Sequence, residues 1–299
     1  MKKFLCRICF ILAGAVILVI GADAVYRLFY KEPDLNAFDN HEFSEMPETL
    51  TYVNVGSSHG RQSFRYATLG EEIYNEAFNF GMGGQSFIYD YYFLKCYEDR
   101  INDEGGVLII PMSIFSLYVD EQRASDYASK ILRYYPILDY QYIEGGNRTD
   151  YILYKYIYPN CLILKAADKW INTIFYLQNE RIEFEDGRTQ YDENGYPVLV
   201  EKNYEALLQI IEFGNTHHMR VILVTTPVQE VYYQTYGEKY VERFHADVEA
   251  LLQEVQVEYW NYEDIYNGEE SYFTDSHHLN ETGATEFTKL IYDRISGQS

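Results

Sequence analysis

Basic side chains are scarce in this chain. Its 299 residues hold 24 Lys and Arg against 46 Asp and Glu, a formal charge of −22. Five of the basic residues (Lys2, Lys3, Arg7, Arg27, Lys31) and one acid, Asp23, fall within residues 1–31, so the rest carries 19 basic and 45 acidic residues, a net of −26. So acidic a body repels nucleic acid and anionic headgroups over a Debye length, which excludes nucleic acid as a partner. Cysteine is scarce as well. Of four, Cys6 and Cys9 lie in an apolar run and only Cys96 and Cys161 lie beyond it. Export would permit those two to pair, but spacing does not establish their proximity. No group of Cys or His has the spacing of a metal site, so neither a metal nor another cofactor is expected. Internal repeats are absent.

Tyrosine is abundant, with 32 residues, and raises the aromatic share to 17%. Its apolar face and polar tip suit wet grooves and sugar-binding surfaces; drift of composition in an exported protein explains the excess equally well. Apolar residues at 47% are ample for a core. The one long apolar stretch, Phe4 to Ala22, is interrupted only by Arg7, which can snorkel and bring the run to roughly the length of a span. Lys2 and Lys3 ahead of it place the N-terminus inside and the body outside. A retained anchor over residues 1–31 is the favoured reading. Ala22-Asp23-Ala24 has the small-x-small form of a cleavage site, so a cleaved signal peptide stays open.

Residues 32–50, polar with Pro33 and Pro47, read as a stalk before a domain at 51–299. Apolar runs of four or five residues then alternate with helical patterns. Strands are expected at Thr51 to Val55, Ala77 to Phe80, Val107 to Ile110, Val221 to Thr225 and, more weakly, Val255 to Trp260. Helices are expected over Gln62–Tyr74, Tyr89–Ile101, Tyr204–Asn215, Val241–Gln253 and Thr282–Ile295. Short, nearly continuous apolar strands joined by helices predict a parallel sheet covered on both faces, a three-layer α/β sandwich. More than a hundred residues separate the third and fourth strands, far beyond an ordinary crossover. Residues 118–200 therefore read as an insertion, a helical cap with an irregular return.

Two short motifs carry chemistry. Gly56-Ser57-Ser58-His59-Gly60 follows the first strand and precedes a helix, which puts Ser58 at the carboxyl end of the sheet beside free helical N–H groups. Asp275-Ser276-His277-His278 precedes the last helix. A carboxylate three residues ahead of an imidazole can hold its Nδ1–H, leaving Nε2 to take a serine proton. The spacing favours His278 over His277 as the base. His59 reads as local packing, and His217-His218 as surface at the amino end of the fourth strand.

Together these motifs resemble the SGNH/GDSL hydrolase superfamily, whose first block is Gly-Asp-Ser and whose last is Asp-x-x-His. Gly56-Ser57-Ser58 stands for the first block, and Asp275 and His278 match the last. Asn79-Phe80-Gly81-Met82-Gly83-Gly84 is similar to the second, whose glycine N–H serves the oxyanion, and makes Gly84 the donor. The third block departs. Pro111-Met112-Ser113 stands where the family has Gly-x-Asn, so Ser113 replaces an asparagine donor whose loss typically costs about 2.7–4 kcal/mol. The anchor, the Gly-Ser-Ser block and the missing asparagine resemble the D-alanine transfer proteins of teichoic-acid synthesis. They also resemble relatives that act with membrane-bound O-acyltransferases on exported polysaccharides. The resemblance implies a flavodoxin-like α/β fold and a membrane-anchored, extracytoplasmic esterase or O-acyltransferase. Its triad would be Ser58, Asp275 and His278, and its oxyanion donors Ser58, Gly84 and Ser113. The implied partners are an acylated surface glycan or polymer and a membrane-bound O-acyltransferase. The rival reading is a non-catalytic scaffold that binds such a glycan or acyltransferase.

Overall fold

The computed structural model describes residues 2–29, 43–124, 127–167, 170 and 188–297. The short apolar runs become one parallel sheet of five strands: β1 (Tyr52–Asn54), β2 (Ala77–Asn79), β3 (Val107–Met112), β4 (Arg220–Thr225) and β5 (Glu258–Asn261), in the order β2-β1-β3-β4-β5. In register, Val53 of β1 lies opposite Phe78 and Leu108, Ile109 of β3 opposite Ile222, and Val224 of β4 opposite Trp260. The winding reverses between β1 and β3, and ligands of such sheets gather outside the carboxyl ends at that point.

The helix α1 (Lys2–Phe29) opens the chain, and α2 (Ser58–Ser63) and α3 (Phe87–Cys96) follow β1 and β2. Next come α4 (Tyr127–Leu132), α5 (Arg148–Ile152) and α6 (Glu201–Thr216). The helices α7 (Glu230–Tyr236) and α8 (Glu238–Glu254) precede β5, and α9 (Glu281–Ser296) follows it. Alternation along the strands sorts side chains to two faces. Val107, Ile109, Ile222, Val224 and Trp260 form one core with Ala284, Phe287 and Ile291 of α9. On the other face, a Cβ at Gly214 of α6 would fall 2.4 Å from Val221 Cγ2 and 3.2 Å from Leu108 Cδ2, so that helix presses directly on the sheet. α3 packs on α6. Helices therefore cover both faces, the three-layer arrangement expected.

The third strand was expected to end at Ile110, yet β3 runs on through Pro111 to Met112. Val107 N–H donates to Thr51 O (2.7 Å), so the odd positions of β3 point their amides at β1. The pairing of β1 with β3 stops at Ile109, and a residue without an N–H at 111 loses no ladder bond. The proline also explains Gly56, whose φ is +111° and whose Cβ, if present, would lie 3.2–3.3 Å from the Pro111 ring. Only glycine fits both the left-handed turn and the approach.

Three expectations need correction. The helix foreseen over Gln62–Tyr74 is broken into α2, a 3₁₀ turn at Tyr66–Leu69 and a single turn at Glu71–Tyr74, with Gly70 at φ +90° between the last two. The stalk foreseen over 32–50 falls partly outside the described residues, but from Phe43 onward it belongs to the domain. The Phe43 ring packs 5.2 Å from both Phe78 and Phe93, Arg100 donates to the carbonyls of Met46 and Pro47, and Leu50 is fully buried. The insertion foreseen over 118–200 is narrower. The chain divides into one unit of His41–Tyr127 with Asp186–Ser299, which carries the sheet, and one of Met1–Asn40 with Ala128–Glu185. Asp120 N donates to Arg188 O (3.0 Å) and Val200 N to Leu117 O (2.9 Å), which keeps both flanks of the insertion in the sheet unit.

Among the described tyrosines of the smaller unit, Tyr134, Tyr135 and Tyr158 are buried, and others pack around them. Tyr151 packs on Tyr135, Tyr140 and Tyr156, and Tyr154 on Tyr135 and Tyr158. In the same unit Asp23 of α1 accepts from Ile163 N (2.9 Å) and pairs with Arg27 (2.7 Å). Among the described residues no helix is long and apolar enough to cross a membrane. The side chains of Phe4, Leu5, Cys6, Cys9 and Leu12 lie outside that description, so the membrane segment expected over them is not shown. Cys96 and Cys161 form no disulfide with each other.

One buried acid holds the turn that leads to Ser58. Asp90 of α3 accepts from Gly56 N (2.8 Å) and from Gln85 Nε2, and its other oxygen, Oδ2, has no partner. Burial pushes its carboxyl up to about 7, against the pull of the two hydrogen bonds. A raised folded value means stability that is full below the ordinary carboxylate range and lost as pH rises toward 7. Replacing Asp90 by Asn keeps an acceptor for Gly56 and removes the titration. We expect the variant to gain on wild type, between pH 4 and pH 8, by on the order of 4 kcal/mol in urea unfolding. A difference that does not change over this range would mean the carboxylate is held ionised.

Candidate functional site

The site begins with two asparagines at adjacent strand ends. Asn54 Nδ2 donates to Val55 O (3.1 Å), Gly60 O (3.3 Å) and Asn79 Oδ1 (2.8 Å). Asn79 Nδ2 in turn donates to the carbonyls of Gly60, Arg61 and Phe64 (3.1–3.2 Å), while its Oδ1 also accepts from Gly81 N (2.9 Å). These bonds hold the carbonyl ends of α2, which is why that helix stops at Ser63. The approach is close: a Cβ on Gly60 would lie 2.2 Å from Val55 O, and one on Gly81 2.4 Å from Arg61 N. Ser57 caps the helix by accepting from His59 N (3.4 Å). Ser58 is thereby fixed as the first helical residue, beyond the carboxyl end of β1.

The second half of the site is a small closed loop before α9. Thr274 N donates to His278 O (2.8 Å), and Phe273 and Leu279 bridge antiparallel. Asp275 Oδ1 accepts from the backbone amides of His277 (3.0 Å) and His278 (2.9 Å), and its Oδ2 lies 2.7 Å from His278 Nδ1. His278 Nε2 lies 2.7 Å from Ser58 Oγ. The structure thus brings Ser58, His278 and Asp275 into one hydrogen-bonded line across 220 residues of sequence. Partial burial works against the charge on Asp275, but the His278 bond, the His277 amide and both imidazoles outweigh it and hold the carboxyl down at about 2. It is ionised throughout the physiological range.

His277 is not the histidine bonded to Ser58. Its Nδ1 lies 3.0 Å from Ser276 Oγ, and its ring stacks on Tyr232 at 4.6 Å. Of the expected oxyanion donors, the Ser58 N–H makes no hydrogen bond among the described residues. Nor does that of Gly84, which has φ +63°. Met82 N donates to Gly56 O (3.0 Å), which lays the glycine turn of 81–84 beside the Gly56–Ser58 turn. Ser113 differs. It is buried, its N–H donates to Ser116 Oγ (3.1 Å), and its hydroxyl lies 2.8 Å from the same oxygen. Ser116 thus occupies the hydroxyl that was expected to face an oxyanion.

Several residues that shape the site were passed over in the sequence. Asn54, Asp90 and Gln85 look there like ordinary strand, helix and turn residues, and nothing local marks their burial. His59, by contrast, reads in the sequence as local packing, with a place lining the site beside Ser58 as the alternative. It is 2% exposed, its Nδ1 lies 3.0 Å from Thr226 Oγ1, and its Nε2 has no partner. Burial, then the neighbouring imidazoles of His277 and His278, hold its pKa well below the ordinary value, so it is neutral. A narrow cleft lies behind the Gly56–Ser58 turn, lined by Gly56, Ser57, Gln85, Asp90, Pro111 and Phe115 among others. Ser58, Asp275 and His278 do not line it.

A protein-family profile matches residues 184–299, under half of the chain. That span includes β4, β5 and the Asp275–His278 loop but not Ser58, and it assigns no family. No curated protein matches the chain. Among solved structures, a crystal structure of a candidate acylhydrolase from Bacteroides fragilis NCTC 9343 is similar over 90% of this chain and 99% of its own, at 13% identity and a TM-score of 0.44. A likeness that distant carries no argument about the site, so the reading of function rests on the geometry of this chain.

Proposed function

We propose that this chain is an extracytoplasmic serine esterase or O-acyltransferase, anchored by its N-terminal helix, that acts on ester-linked acyl groups of a surface glycan or teichoic-acid-like polymer. The observation that carries the chemistry is the line Asp275 Oδ2–His278 Nδ1 and His278 Nε2–Ser58 Oγ, each 2.7 Å. Ser58 Oγ attacks the acyl carbonyl and His278 Nε2 takes its proton. Asp275, ionised, fixes the tautomer and stabilises the imidazolium. The carbonyl oxygen becomes an oxyanion served by the free Ser58 and Gly84 amides. His278 then returns the proton to the leaving alcohol, and the acyl group stays on Ser58 as an ester. An incoming hydroxyl, from water or a glycan, gives its proton to His278 and attacks that ester, which frees Ser58.

Export and the surface polymer are supported by the lysines ahead of the apolar run and by the resemblance to teichoic-acid D-alanine transfer proteins. The helical span of α1 also supports an anchor, for Phe10, Ile11, Ile17, Leu18, Leu28 and Phe29 are all well exposed. A membrane-bound O-acyltransferase is the natural acyl supplier for such a transferase. One observation favours the scaffold reading instead: the position of the family's asparagine donor is held by Ser113, whose hydroxyl is bonded to Ser116.

Ser58→Ala is expected to lower ester turnover by on the order of 10⁴–10⁶-fold and to leave the unfolding midpoint unchanged. The same variant should lose labelling by a serine-directed fluorophosphonate. In cells it removes an ester substituent from a surface polymer if the protein is a transferase, and adds one if it is a deacylase. Unchanged surface acylation with no labelling of wild-type Ser58 would establish the scaffold.

Topology has its own test. A reporter active only outside the cytoplasm, fused after Ser299, should give signal in the membrane fraction. Signal in a soluble, shortened protein would mean cleavage near Ala24, and signal from a cytoplasmic reporter would overturn export.

A further inference from the structure

Three imidazoles converge beside Ser58, and only one of them is used by the proposed chemistry. His59 lies on α2, while His277 and His278 lie on the loop before α9, more than two hundred residues away. Their ring centroids are 5.4 Å apart for His59–His277, 5.6 Å for His59–His278 and 3.9 Å for His277–His278. One nitrogen from each falls within 4.8 Å of the others. We propose that His59, His277 and His278 form a binding site for zinc or a similar divalent transition metal, and that occupancy of this site takes the base away from Ser58.

The hydrogen bonds sort the six ring nitrogens into two sets. Each Nδ1 is held from behind: that of His59 by Thr226 Oγ1 (3.0 Å), that of His277 by Ser276 Oγ (3.0 Å) and that of His278 by Asp275 Oδ2 (2.7 Å). Such outer partners fix the tautomer and aim the opposite nitrogen, and metal-binding histidines usually have them. With the proton on Nδ1, each Nε2 presents a lone pair. The Nε2 of His59 is the telling one, because it is buried and has no partner. An unpaired buried nitrogen costs about 1–3 kcal/mol, and a ligand that it can bind removes that cost.

Asp275 supplies a negative charge behind His278, which offsets part of the added ion's charge. Three nitrogens on a tetrahedral zinc at 2.0–2.1 Å stand roughly 3.4 Å apart. The nitrogens lie within 4.8 Å of one another, so the rings close by up to about 1.4 Å on a bound ion, and a fourth position remains for water. Imidazole donors without carboxylate in the first set select zinc, copper or nickel over magnesium or calcium.

The consequence for chemistry rests on the triad reading. His278 Nε2 cannot hold a metal and accept the Ser58 proton at once, so metal binding and acyl transfer exclude each other. The site is then a reversible brake set by the zinc activity outside the membrane. The metal site itself does not depend on the triad being active.

The test uses the untagged full chain in detergent, stripped with a chelator, and zinc competed against a chromogenic zinc indicator. One equivalent of zinc should bind, and His59→Ala and His277→Ala should each weaken it at least tenfold. His217, which faces Asp103 and Glu98 (2.5 and 3.1 Å) well away from the cluster, gives a control: His217→Ala should leave the affinity unchanged. His277 has a partly exposed side chain, so its variant is the one that retains the fold if His59→Ala does not. In wild type, zinc should slow fluorophosphonate labelling of Ser58 and chelator should restore it. No zinc bound, or affinity equal in wild type and His277→Ala, overturns the site. Zinc binding without any labelling of Ser58 leaves the metal site standing and removes the esterase reading.

Discussion

The bond from Asn54 Nδ2 to Asn79 Oδ1 joins the ends of two neighbouring strands inside the protein, and the rest of the site is hung from it. The two amides divide their remaining valences between the α2 carbonyls and the Gly81 amide, so one pair of side chains sets both where the helix begins and where it stops. Both Nδ2 groups of the pair are well supplied with acceptors, while the buried Asn54 Oδ1 has no partner. The closeness of the helix to the strand ends explains the absence of side chains at Gly60 and Gly81. Any Cβ there would push the helix off the strand end and dissolve the network that places Ser58.

Beside this rigid frame, the loop of Asp275 to His278 carries its own geometry. Its acid, its base and the two backbone amides that steady the acid lie within four consecutive residues, and a short antiparallel bridge closes it. The two halves meet at a single hydrogen bond. The precision of the site therefore depends on the packing of α9 against β3 and β4, not on the loop, which is already organised.

Much of this was legible in the sequence, for identifiable reasons. The strands announce themselves as apolar runs cut off by Gly56, Gly81 and Pro227, and the two motifs lie directly after a strand and before a helix. Other features depend on contacts that no window can contain. Gln62 to Tyr74 has a helical period, yet the helix fails because Asn79, many residues on, takes its carbonyls. Phe43 reads as part of a polar stalk, but it fits between Phe78 and Phe93. Asp90 looks like a surface position in a helix rich in Tyr, whereas its burial and its bond to Gly56 arise only when α3 is in place. Spacing along the chain likewise does not report the nearness of His59 to His277.

Ser58 and His278 are separated by 220 residues, and a ribosome makes the chain from its amino end. Ser58 therefore has no imidazole beside it throughout most of synthesis. It gains one only when the loop before α9 has been made and that last helix has docked. The order of residues along the chain thus delays assembly of the Ser58–His278–Asp275 line until nearly the whole chain exists.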